Sequence, residues 1–265
     1  MHLAVGRTHP GRRRTSNEDS FVVDSDIALL LVADGMGGHQ AGEVASQLAA
    51  QTIAEFVRNS SFDSQITWPF GLDRALSLEA NQLRTAIQLA NRRVFDKSTR
   101  QPELSGMGST VVAALVRGDE VHYASVGDSR LYLLRGPSLR QLSVDDSWAA
   151  SMLRAGADPK MVEASPFRHA LTSALGSADG VDVHIDQESL EDNDVLVMCT
   201  DGLHGPVNEA RIAAVVAENR LDLARAADRL IEEANEAGGP DNVTVVLFHH
   251  QSAGTRKSQP AEKAR

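Results

Sequence analysis

Cysteine is nearly absent from this chain: Cys199 stands alone among 265 residues. That excludes an intramolecular disulfide framework and any cysteine-built metal site. Aromatic residues supply only 4% of the sequence, so the core must be aliphatic. Basic residues are in deficit. Lysine and arginine number 26 against 36 acidic residues, a formal charge of −10, which argues against a nucleic-acid binder held by a basic surface. Long apolar runs are missing as well. The longest, residues 27–33, falls far short of the ~20 residues of a membrane span. Residues 1–6 are too short and too polar in their flanks for a signal peptide. The expectation is a cytoplasmic monomer in a reducing setting, with no nucleic-acid or membrane partner.

What is present reads as one large domain or two small ones. Seven short runs rich in Val and Leu read as buried strands: residues 21–23, 27–33, 110–116, 121–126, 131–134, 195–199 and 243–248. Helical spacing runs through 41–57, through Leu76, Leu83, Ile87 and Val94, and through Leu223, Ala227, Leu230, Ile231 and Ala234. Asp158-Pro159 reads as a helix start, and Asn208 as a cap for 209–218. Residues 59–72 read as a connection between two helices. The polar stretch 251–265 reads as a disordered tail. Residues 110–134 read as consecutive antiparallel strands joined by short turns. The favoured fold class is therefore α+β, with antiparallel sheets covered by helices, and a doubly wound parallel fold is the alternative.

The informative pattern lies at the strand tips. Asp34-Gly35, Gly127-Asp128, Asp201-Gly202 and Pro240-Asp241 each flank a separate apolar run. Taken singly, each is most simply a turn. Together they form a set of carboxylates that would repel one another unless cations neutralised them. Oxygen-only ligands select hard cations, Mg²⁺ or Mn²⁺. Two such ions ~3.5–4 Å apart can turn a shared water into a nucleophile, a device suited to phosphoester hydrolysis. Near the N-terminus, Arg12-Arg13-Arg14 precedes Asn17-Glu18-Asp19. An arginine fork matches a phosphate, although a solvated basic turn would look the same.

These motifs, in this order, carry a family resemblance. Residues 14–20 (Arg-Thr-Ser-Asn-Glu-Asp-Ser), 34–39 (Asp-Gly-Met-Gly-Gly-His), 127–130 (Gly-Asp-Ser-Arg), 200–203 (Thr-Asp-Gly-Leu) and 239–244 (Gly-Pro-Asp-Asn-Val-Thr) resemble the bacterial metal-dependent serine/threonine phosphatases of the protein phosphatase 2C type. Residues 106–110 and 171–176 add weaker matches. The likeness spans about residues 5–248, so residues 1–250 are expected to form the phosphatase domain.

The resemblance implies a two-sheet sandwich with helices on both outer faces, and a site holding two Mn²⁺ or Mg²⁺ ions, with a third in bacterial members. Asp34 would bridge two ions, Asp201 and Asp241 would bind the first, and the Gly35 carbonyl the second. Glu18 and Asp19 would support bound water, and Asp128 would share the third ion with Asp201. Arg14 would hold the phosphate. A hydroxide between the ions would attack phosphorus in proteins carrying phosphoserine or phosphothreonine, reversing a serine/threonine kinase. Residues 145–169 would form a flap beside the site. Two departures stand out. Met36 replaces a histidine that many eukaryotic members use as proton donor, leaving His39 as a candidate. Asp145-Asp146-Ser147 stands where many relatives have Asp-His-Ser. A non-catalytic phosphoprotein-binding scaffold and a small-molecule phosphatase are the competing readings. The full set of aspartates favours activity over the scaffold.

Overall fold

The computed structural model describes residues 3–38, 40–63 and 65–252. The expected tail therefore lies, from residue 253 onward, outside the described residues. Among the described residues no helix is long and apolar enough to cross a membrane.

Among the described residues eleven strands form two sheets, and every pairing is antiparallel. The first sheet runs β1 (Leu3–His9), β11 (Val243–His249), β10 (Val195–Cys199), β7 (Arg130–Arg135), β8 (Ser138–Gln141). The second runs β2 (Asp19–Asp24), β3 (Leu29–Met36), β5 (Val111–Arg117), β6 (Glu120–Val126), β9 (His184–Ser189), with the two-residue β4 (Gly108–Ser109) beside the end of β3. The doubly wound alternative is thereby set aside, and the α+β reading stands.

The strands look uniformly apolar because both of their faces are covered. Alternate residues of one strand enter different cores. Leu30, Val32, Val112 and Tyr123 meet Leu131, Leu133, Leu196, Met198 and Val246 between the sheets. Leu29, Leu31, Ala113 and Leu115 face the opposite way, onto α1 (Ala41–Phe62) and α2 (Leu78–Arg100). Tyr132, Val197, Val245 and Leu247 face α6 (Glu209–Glu218) and α7 (Leu223–Glu236). The result is a four-layer sandwich. Two short helices, α3 (Trp148–Arg154) and α4 (Pro159–Glu163), lie in the connection from β8 of the first sheet to β9 of the second, and α5 (Asp201–His204) lies between β10 and β11.

The helix ends follow the chemistry of the capping residues. Asn208 accepts from the Arg211 N–H, Asp158 from Lys160 and Ser77 from Ala80, each satisfying a donor left free by the first helical turn. α1 runs five residues past the expected 41–57, to Phe62. Its first turn lies hard against the tip of β3. A Cβ on Gly35 would fall 2.1 Å from the Gly42 carbonyl oxygen, so only glycine permits that approach.

One expectation fails. Residues 110–134 are not a run of paired neighbours. β5 and β6 do form a hairpin around Gly118, but β6 pairs next with β9 while β7 pairs with β10 and β8. The chain crosses from one sheet to the other at Gly127-Asp128-Ser129, with Gly127 at φ +95°. Asp128 therefore sits on a crossing between sheets, not at a hairpin tip. Strands covered on both faces carry no sequence mark of the sheet they belong to.

Candidate active site

Antiparallel order brings alternate strand starts and strand ends to one rim. The end of β3 supplies Asp34 and Gly35, the start of β2 Glu18 and Asp19, and the β6–β7 crossing Asp128. The end of β10 supplies Asp201 and the approach to β11 Asp241. Arg14, Glu18, Asp34, Gly35, Asp128, Asp201 and Asp241 line a single pocket of about 230 Å³. Met36, Gly37, Thr110, His169, Leu171 and Asn242 complete its wall. Seven of the nine residues picked from the sequence are thus brought together.

Asp19 lies beneath the pocket, outside its lining. Its Oδ2 accepts hydrogen bonds from the hydroxyls of Thr200 (2.9 Å) and Thr244 (2.6 Å). His39 falls outside the described residues.

The electrostatics are those of crowded carboxylates. Asp19 and Asp34 sit opposite each other in the β2–β3 register, like charges directly across a strand pair. Burial, then the charges of Asp19, Asp201 and Asp128, push the Asp34 carboxyl well above its ordinary range. Burial pushes Asp19 up to about 7, with its two threonine donors pulling the other way. Burial and the neighbouring Asp201 raise Asp128 to about 7. Asp201 is raised by burial and by Asp241, partly offset by a hydrogen bond with the Asp34 carboxyl.

Cationic compensation is thin. Arg14 Nη2 donates to Asp241 Oδ2 at 2.7 Å from a half-exposed position. Arg12 and Arg13 point into solvent, while their backbone N–H groups donate to the Gly239 carbonyl. Asn242 pins the arginine loop: its Nδ2 donates to the carbonyls of Pro10 and Ser16, and its Oδ1 accepts from the Glu18 N–H.

The donor set suits hard divalent cations. It is all oxygen and clustered, and two of its buried atoms, Asp201 Oδ1 and Asp19 Oδ1, have no hydrogen-bond partner. Unpartnered buried carboxylate oxygens are costly unless a cation completes them. The fit lies in the chemistry of these groups. As the side chains stand, no three such groups among the described residues close on one point, and Arg14 engages Asp241 instead.

Two histidines near the pocket carried no local sequence signal. His169, in Pro-Phe-Arg-His, lines the pocket and also the groove beneath the flap. His204 is one turn past Asp201, with its Nε2 3.0 Å from the Asp128 carbonyl. Burial and the nearby Arg130 lower His204 to about 4, so it is neutral at pH 7 and donates that hydrogen bond. Thr110 ties the sheets together at the same point. Its hydroxyl accepts from the Asp34 N–H and lies 2.7 Å from Ser129 Oγ. The flap root is held by Arg130, which forks onto Asp145.

A two-sheet sandwich with a carboxylate pocket at one rim and an arginine on its lip has the form of a phosphate-ester hydrolase. The sequence comparisons name the family. The model for protein phosphatase 2C matches residues 5–243, and the chain belongs to the protein phosphatase 2C family. A serine/threonine phosphatase of Listeria welshimeri is 36% identical over 251 residues, covering 93% of this chain and 95% of the relative. The crystal structure of Mycobacterium tuberculosis serine/threonine phosphatase PstP superposes with a TM-score of 0.80 at 33% identity, covering 94% of this chain and 99% of that one. A second PstP structure, of the catalytic domain in complex with two manganese ions, gives 0.76 at 33% identity, covering 94% and 97%.

Proposed function

We propose that this protein is a Mn²⁺- or Mg²⁺-dependent phosphatase that removes phosphate from phosphoserine and phosphothreonine in proteins. The observation that carries the reading is the convergence of Asp34, Asp128, Asp201 and Asp241 with Arg14 on one pocket. The relatives named serine/threonine phosphatases, one of them a manganese complex, support it. The partners implied are phosphorylated proteins and the kinase that modifies them. A cytoplasmic setting belongs to the same proposal.

In this reading Asp34, Asp201, Asp241 and the Gly35 carbonyl would hold two ions, and Asp128 with Asp201 a weaker third. Bound divalent ions supply a Lewis acid for phosphoryl oxygens and lower the pKa of water. The protein does the rest. Glu18 and Asp19 would orient bound water, Asp19 from a carboxylate held by the Thr200 and Thr244 hydroxyls. Arg14 binds the incoming phosphate through paired N–H donors, releasing Asp241 as it does so. The groove lined by Asp128, His169 and residues of 145–169 adjoins this pocket and would receive the substrate chain. His39 remains the proton donor suggested by the sequence.

The direct test is Mn²⁺- and Mg²⁺-dependent phosphate release from a phosphothreonine peptide, run beside phosphotyrosine and small phosphate esters. Preference for the phosphothreonine peptide is expected. Equal rates on all three would defeat the protein-substrate reading.

Arg14→Ala should raise KM for a phosphopeptide about tenfold, one charge-assisted contact, and lower kcat less. Arg12→Ala and Arg13→Ala should change little, since only their backbones are engaged. Three alike variants would mean the arginines are a solvated patch. Asp128→Ala should lower kcat while calorimetry still detects the tighter ions. Unchanged turnover at every Mn²⁺ concentration would remove Asp128 from the machinery.

A further inference from the structure

Asp146 is a buried carboxylate that lines neither the carboxylate pocket nor the groove beside it, yet it contacts three separate segments. Its Oδ2 accepts the Gly127 N–H at 3.1 Å, and its own N–H donates to the Gly127 carbonyl at 2.8 Å. The two residues therefore clasp each other in both directions. Its carbonyl accepts the Thr172 N–H at 2.8 Å, across the root of the flap where Ser147 bridges to Leu171. Its remaining oxygen, Oδ1, lies 2.7 Å from Nε2 of His184. His184 opens β9 and faces Ser125 in the register with β6, the strand that runs directly into Gly127-Asp128.

Asp128 is thus gripped from two sides. His204 holds its carbonyl, and Asp146 holds the residue before it. Gly127, in a left-handed conformation with Thr110 packed where a Cβ would be, leaves the crossing little alternative path. A carboxylate held by one partner only would be free to rotate off the Gly127 N–H. The His184 imidazole fixes Asp146 by engaging its second oxygen, as outer partners orient ligating groups elsewhere.

We propose that Asp146 and His184 form a positioning pair that sets the Gly127–Asp128 crossing, and with it the Asp128 carboxylate, for turnover. Neither residue touches the substrate. The pair acts through the backbone, and the proposal rests on the functional reading of Asp128 given above. The pairing also accounts for an aspartate at position 146. The site needs one acceptor for the Gly127 N–H and a partner across to residue 184. A neutral imidazole at 146 could serve equally, provided a carboxylate stood at 184.

That equivalence supplies the test. In His184→Asp two carboxylates face each other, and kcat should fall about tenfold or more, the usual cost of losing an outer-shell partner, with KM for the phosphopeptide little changed. Adding Asp146→His to that variant should restore kcat to within about threefold of the parent, because donor and acceptor are exchanged rather than lost. His184→Gln, which keeps a donor toward Oδ1, should stay near the parent, and His184→Leu should fall as His184→Asp does. A merely structural contact would move melting temperature and kcat together, without rescue of kcat by the exchange. An exchanged double variant as slow as His184→Asp would overturn the proposal, as would parental kcat in both His184→Asp and His184→Leu. Asp128→Ala is run alongside. If it turns over normally, the reading of Asp128 fails and the pair falls with it. If it is impaired while the His184 variants are not, the pair alone fails.

Discussion

Asp201→Asn should cost at least about 100-fold in kcat, beyond the usual loss for an outer-shell partner, and should stabilise the metal-free protein. Both effects come from one carboxylate. Asp201 stands between Asp34 and Asp241, and its Oδ1 is buried without a partner. Removing its charge takes away a proposed ligand of two ions. It also removes repulsion from a crowded site, and the new amide can donate to the Asp34 carboxylate. A hydrogen bond of that kind contributes about 1 kcal/mol or more. Activity with Mn²⁺ and thermal melting in chelator measure the two effects separately. Near-parental turnover at saturating Mn²⁺, or a lower melting temperature in chelator, would overturn the assignment.

The metal-free protein should also be markedly more stable at pH 5 than at pH 8. Asp19 and Asp128 are pushed up to about 7 in the folded chain, and Asp34 and Asp201 are raised as well. An unfolded aspartate titrates near 3.9. Between those limits the folded state binds more protons than the unfolded state, so stability falls as pH rises. The contribution is fully present below about pH 4 and is lost as pH passes through about 7, on the order of several kcal/mol over the cluster. Mn²⁺ should reverse the loss, because it takes over the neutralisation that protons supply at low pH. Its stabilising effect should therefore be larger at pH 8 than at pH 5. Melting curves in chelator and in Mn²⁺ at the two pH values decide this. A flat pH profile in chelator would mean the carboxylates are not strained in the folded chain.

The sequence made the core strands and the site legible for the same reason. Runs such as residues 29–33 and 243–248 are apolar on both faces, so they stand out, and their ends carry aspartates beside glycine or proline. Of the edge strands, β2 was legible at residues 21–23, while β1, β8 and β9 were not. β8 and β9 each have one side toward solvent, and a strand such as His184–Ser189 carries no apolar run. β1 has only three apolar residues, Leu3, Ala4 and Val5, too few to stand out as a buried run. The crossing at Gly127 was hidden because neither sheet marks its strands. His169, His204 and the Asp146–His184 pair were invisible for a different reason: their roles come from partners 38 to 76 residues away in the chain or from the pocket they line.

β11, the last strand described, lies inside its sheet, between β1 and β10, with Asp241 immediately ahead of it. The opening segment of the chain can complete its pairing only after the closing segment arrives, since Leu3–His9 finds its hydrogen-bonding neighbour at Val243–His249. A nascent polypeptide on the ribosome therefore carries Arg14, Asp34 and Asp128 long before it can use them. The pocket completes only when Val243–His249 joins the sheet, and a chain cut before Asp241 would lack both that carboxylate and the hydrogen-bonding neighbour of Leu3–His9.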